Sequence, residues 1–116
     1  MQKVFVYAPY YEKCLDSMGL TDEDARQIEN AILENPKIGD VIQGTGGLRK
    51  FRIPINGQGK RGGARVLYVN FVMFDKVYLI AAYNKNEKDN ISEKEKASIK
   101  KALDMFEKEL KERKCY

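Results

Sequence analysis

Between Gln43 and Arg65 the chain reads QGTGGLRKFRIPINGQGKRGGAR, with six bases (Arg49, Lys50, Arg52, Lys60, Arg61 and Arg65) and no acid. The same stretch holds seven of the nine glycines. Ordinary soluble surfaces mix both signs of charge, so one sign gathered around bare backbone suits the handling of phosphate. Cations neutralise it, and glycine lets a phosphate backbone approach closely. The competing reading is a solvated sheet face with exposed bases. In LRKFRIPI, an extended backbone sends Phe51, Ile53 and Ile55 to one side and Lys50 and Arg52 to the other. Two cations two residues apart on one strand face repel each other unless an anion sits between them. Arg65 opens the next apolar run and joins that face if the two runs pair as a hairpin, with Lys60 and Arg61 at its tip. A further cationic element, YNKNEK from Tyr83 to Lys88, follows the last apolar run. In a meander the end of that run lies beside the start of the previous one, which brings Lys85 near Arg65; a polar turn before a helix is the plainer reading.

Several chemistries are excluded by inventory. The chain has no histidine, which removes Ser/His and Cys/His catalysis and histidine-ligated zinc. Gly57-Gln-Gly59-Lys-Arg-Gly62 matches GxGxxG, but strand-like residues follow it instead of a helix, and no acid stands about 20 residues on. A Walker A loop fails as well, because Arg61 follows Gly59-Lys60 and Pro54 occupies the first glycine position. Cys14 and Cys115 lie far apart and outside any CxxC pattern, as expected in a reducing cytoplasm. No acidic cluster accompanies the bases, so neither a metal nor another cofactor is expected.

The elements that must position these groups follow from periodicity and end signals. The length of 116 residues fits one domain, residues 1–116, with one modest core. Lys3–Tyr7 reads as a short strand. Pro9 opens a helix carrying Tyr11, Leu15 and Met18, and Gly19 stops it. Thr21 caps a second helix with Ala25, Ile28, Ile32 and Leu33 on its apolar side, ended by Asn35-Pro36. Leu48–Ile55 reads as a strand. Ala64–Tyr83 is apolar enough for a membrane span, but Asp75 and Lys76 interrupt it and β-branched and aromatic residues dominate, so two strands and a tight turn fit better. Ser92 and Glu95 form a capping box for a last helix with Ile99, Leu103, Phe106 and Leu110 on one stripe. The expected fold class is α+β: an antiparallel sheet, made of a leading edge strand and a three-stranded meander, packed by two N-terminal helices and one C-terminal helix. Charge is uneven along it, with four bases against eight acids in residues 1–42 and six bases alone in 43–65. The N-terminus lacks the long apolar region of a signal peptide.

GDVIQGTGGLRKFRI, GKRGGARVLYV and YLIAAYNKNEKDNIS together resemble the HigB-type branch of the RelE/ParE toxin superfamily, across nearly the whole chain. The resemblance implies a bacterial toxin of a type II toxin–antitoxin system, cytoplasmic and without a membrane stage. It implies a sheet with a basic concave face and ribosome-dependent cleavage of translated mRNA. It also implies a HigA-type helix-turn-helix antitoxin as partner, with operator DNA met only through that antitoxin.

Cleavage by 2′-hydroxyl attack needs a proton acceptor, a donor for the leaving 5′-oxygen, and positive charge for the phosphorane. Family roles fall on Lys50, Arg52 and Arg65, and on Lys85 or Asn86 after the last strand. Arg stays protonated and so stabilises charge; Lys50 could act as base only where neighbouring cations and desolvation favour its neutral form. Some relatives carry a catalytic tyrosine where this chain has Ile91-Ser92, which leaves Tyr83 as the nearest phenol, or as a core ring. Arg49, Lys60 and Arg61 are expected to contact RNA or the ribosome. A ParE-like toxin that inhibits DNA gyrase shares the fold and has no need of Lys50, Arg52 and Arg65. A basic RNA-binding module without activity is weaker still, since the glycine stretch lacks base-stacking aromatics.

Overall fold

Short local signals end the helices where the sequence places them. The computed structural model describes residues 3–54, 63–84 and 92–114. In it, helix α1 spans Pro9–Met18 and helix α2 Asp22–Glu34. Pro9 sits in the first turn of α1, where a missing N–H leaves no bond unmade. Gly19 closes α1 in the left-handed region, and the Leu20 N–H donates back to the Leu15 carbonyl at 2.9 Å. At the start of α2 the Asp24 N–H donates to Thr21 Oγ1 at 3.1 Å, while the Thr21 N–H donates to Asp24 Oδ2 at 2.9 Å. That reciprocal pair satisfies the carboxylate of Asp24, which is buried. Ala25, Ile28 and Ile32 are buried as expected, but Leu33 is exposed, one position off their stripe. Helix α3 spans Glu93–Lys114, with the expected Ser92–Glu95 box at its start, Leu103 and Leu110 buried, and Ile99 and Phe106 partly so.

The strands are β1 (Val4–Tyr7), β2 (Asp40–Val41), β3 (Arg49–Ile53), β4 (Ala64–Phe71) and β5 (Lys76–Asn84). They form one sheet in the order β1-β5-β4-β3-β2. The meander β3–β4–β5 is antiparallel, and a 3-10 turn at Val72–Phe74 joins its last two strands. Two details differ from the sequence reading. The leading strand does lie at the edge, but it runs parallel to β5, so the sheet is mixed. No hairpin tethers a leading strand to its neighbour, so no local signal sets its direction. The strand β2 was not foreseen; two residues pairing with Lys50 and Arg49 are too few to show a period. Pro54, with no N–H to give, follows the end of β3, and Ile55 lies outside the described residues.

Paired residues in a sheet point to the same side, which sorts the two faces. Val66 and Tyr68 share a face with Phe51, Ala82 and Leu79, and this face carries α1 and α2. There Tyr68 donates its hydroxyl to the carbonyls of Pro36 and Ile38, at 3.2 and 2.8 Å, and Tyr7 meets Tyr11 edge-on. Leu67, Val69 and Phe71 face the other way. On that side Tyr78 stacks on Phe106 of α3, with ring centroids 4.9 Å apart, and meets Phe71 edge-on. Strand β4 is therefore covered on both sides, which explains the apolar run from Val66 to Val69.

Candidate functional site

The sheet register builds the site. Strands β3 and β4 pair Arg52 with Arg65, and strands β4 and β5 pair Arg65 with Tyr83. The three form a row across adjacent strands, on the face that carries α3. Lys50 is paired with Leu67, two residues along, and shares the face. Adjacent strands stand about 4.8 Å apart, so neighbouring side chains in the row can grip one phosphate group from two sides. Arg52 is exposed, Lys50 half-buried, and Arg65 and Tyr83 are 6% and 9% exposed. The row thus runs from a solvated guanidinium to a sheltered guanidinium and phenol. Charges directly opposite each other on paired strands are unfavourable in the absence of an anion.

Gly63 closes the hairpin beside this row. Its φ is +50°, and a Cβ there would stand 2.2 Å from the Ile53 carbonyl oxygen and 2.8 Å from Pro54 Cα. No other residue type fits, so the Arg52–Arg65 pairing depends on this glycine.

One positioning residue escaped the sequence reading. The register passes from Leu67↔Ala81 to Tyr68↔Leu79, which leaves Ile80 as the extra residue of a β-bulge. Tyr78 and Tyr83 are five residues apart and would face opposite sides of a regular strand. The bulge puts both on the α3 side, Tyr78 against Phe106 and Tyr83 beside Arg65. The available signal was the lost alternation in VYLIAAY, where no charged residue marks an outer face.

Of the other candidates, Arg49 is not brought to the row. It points to the opposite face, and its Nη1 donates to the carbonyls of Lys37 and Gly39 at 3.1 and 2.9 Å. Lys60, Arg61, Lys85 and Asn86 lie outside the described residues. The first glycine cluster, GTGG, is a packed turn. Thr45 is fully buried, donates its hydroxyl to the Ile42 carbonyl at 2.6 Å and accepts from the Leu48 N–H at 3.1 Å. Gly44 and Gly46 face the stems of Lys96 and Lys100 on α3, whose ammonium groups pair with Glu93 and Asp104, each at 3.2 Å. Burial raises the pKa of the Tyr68 phenol, with Arg49 acting in the opposite sense.

This architecture has a solved counterpart. A free-state mutant of the E. coli toxin RelE, with two arginines replaced by alanine, matches at a TM-score of 0.50 and 16% identity, over 74% of this chain and 86% of that one. At such identity the likeness speaks for the fold alone, a mixed α+β architecture. Residues 3–114 match the family described as the RelE toxin of the RelE/RelB toxin–antitoxin system. The chain belongs to the RelE toxin family, the toxin half of a toxin–antitoxin pair. Among the described residues, no helix is long and apolar enough to cross a membrane.

Proposed function

We propose that the chain is a single-domain, HigB-type toxin of the bacterial cytoplasm that cuts translated mRNA on the ribosome, without metal or other cofactor. The observation that supports this reading is the row Arg52–Arg65–Tyr83 with Lys50 on the same face. In the proposed reaction the 2′-oxygen forms a bond to the adjacent phosphorus and loses its proton to a base. The bond from phosphorus to the 5′-oxygen breaks, and that oxygen takes a proton from an acid. Arg52 and Arg65 hold the charge that builds on the non-bridging oxygens, because a guanidinium does not give up its proton at neutral pH. Tyr83 is the phenol beside them and serves as proton donor; Lys50, with Lys85 or Asn86 after β5, completes the set. A HigA-type helix-turn-helix antitoxin neutralises the toxin and carries it to operator DNA.

The test is in vitro translation of a defined message followed by primer extension. The wild-type chain is expected to leave cuts within translated codons, and Arg52→Ala and Arg65→Ala to leave the message intact. Uncut message with gyrase-linked DNA breaks on induction would replace this reading with the ParE-like one.

A further inference from the structure

The acidic part of the chain gathers on the other side of the molecule. Helices α1 and α2, with Tyr7 of β1, enclose a cleft of about 650 Å³. Four carboxylates line it: Glu12, Asp16, Asp22 and Glu29. Among the described residues none of the four has an ion-pair partner. Arg26 is the cation of the lining, and its guanidinium is drawn to Glu23 at 2.9 Å. The remaining wall comes from Thr21 and from the apolar side chains of Leu15, Leu20 and Ala25. Tyr7 donates its hydroxyl to Glu29. Its pKa is raised by burial and by that bond, and the charges of Glu29, Asp22 and Glu12 add to the rise, so three carboxylates act on one point of the wall.

A second observation comes from Tyr11. It is fully buried, and its hydroxyl has no hydrogen-bond partner among the described residues. Its ring meets Tyr7 edge-on at 5.0 Å, and after burial it is Tyr7 and Glu29 that most raise its pKa. An unsatisfied buried hydroxyl thus stands behind the wall that Tyr7 and Glu29 form, next to the groups that line the cleft.

We propose that this cleft binds a basic peptide segment of a protein partner, one that presents arginine or lysine beside apolar side chains. Carboxylates without ion-pair partners among the described residues, set beside Leu15, Leu20 and Ala25, match the two parts of such a side chain, a cationic head on a methylene stem. The volume is more than a lone ammonium group needs, which favours a peptide over a small cation. Polyanionic RNA is repelled here. The cleft opens on the face of α1 and α2, and the Arg52–Arg65–Tyr83 row lies on the face of α3, so an occupant leaves the row uncovered. The inference does not depend on the nuclease reading.

The probe is an amidated peptide of alternating arginine and leucine, titrated into the ¹⁵N-labelled full chain. Amide shifts are expected to centre on α1 and α2 around Leu15, Leu20 and Ala25. Glu12, Asp16 and Asp22 are exposed, so the triple variant E12Q/D16N/D22N should melt like wild type and bind about tenfold more weakly, the sum of three exposed charge contacts. Leu20→Lys, which places a cation at the cleft wall, should block the peptide on its own and serves if the triple variant fails to fold. Affinity unchanged in both variants, or shifts spread equally to Glu107 and Glu112 of α3, would overturn the site. Spermidine binding as tightly as the peptide would overturn the peptide as its occupant.

Discussion

On the face beneath α3, two halves of the same strands have opposite characters. At one end, Tyr78 meets Phe71 edge-on and stacks on Phe106 of α3. At the other, Arg52, Arg65 and Tyr83 form a row that begins in solvent. The strands are continuous, so on the proposed reading position along them divides holding the fold from meeting a substrate. The difference teaches that one register error would damage both, while a well-chosen side-chain change should damage one. Phe71→Ala tests the sealed half and should have the largest effect. Removing a buried aromatic ring costs about 3–5 kcal/mol, read as a lower midpoint in urea. Cleavage per folded molecule should stay near wild type, and a fall in cleavage without a fall in stability would break the division.

Arg65→Ala tests the open half. Losing one transition-state charge contact costs on the order of 10²–10³ in rate, about 2.7–4 kcal/mol. Arg65 is 6% exposed, so its loss can also loosen the strand. Arg52→Ala removes the exposed partner of the row and is the cleaner probe. It should melt with wild type and lose cleavage and growth arrest together. If both variants fold and remain fully toxic, the row is not the site.

Gly63→Ala should strike both halves. A side chain at φ +50° costs about 1–2 kcal/mol, and the new Cβ meets the Ile53 carbonyl oxygen, which is backbone and cannot swing aside. The expected outcome is a lower melting temperature together with reduced cleavage, because the same hairpin end sets the Arg52–Arg65 pairing. Normal stability and normal activity would show that the turn has room to relax.

How much of this was legible beforehand depended on the range of the signals. The Thr21–Asp24 and Ser92–Glu95 caps, Pro9 and Gly19 act within a few residues and were readable directly. The alternation of Lys50 and Arg52 against Phe51 and Ile53 was readable too, because one side of β3 is buried and the other carries charge. The direction of β1, the two-residue β2 and the bulge at Ile80 depend on partners far along the chain and leave no local trace. The site followed the same division: residue types suggested phosphate, but only the register puts Tyr83 beside Arg65.

The smallest effects separate bases that look alike in the sequence. Arg49 and Lys60 belong to one run of six cations with no acid among them. The structure ties Arg49 to the carbonyls of Lys37 and Gly39, on the face away from the row. Arg49→Ala should therefore cost about 1 kcal/mol of stability, the worth of modest hydrogen bonds at an exposed position, and leave RNA affinity unchanged. Lys60→Ala should do the reverse. Its glycine-flanked place in the sequence predicts a backbone phosphate contact, so its loss should leave the melting temperature alone and weaken ribosome or RNA binding mildly. The slope of log affinity against log salt should flatten by about 1. A variant of Lys60 with an unchanged slope would remove it from the phosphate contacts, and an Arg49 variant with a flattened one would extend the binding surface around the edge of β3.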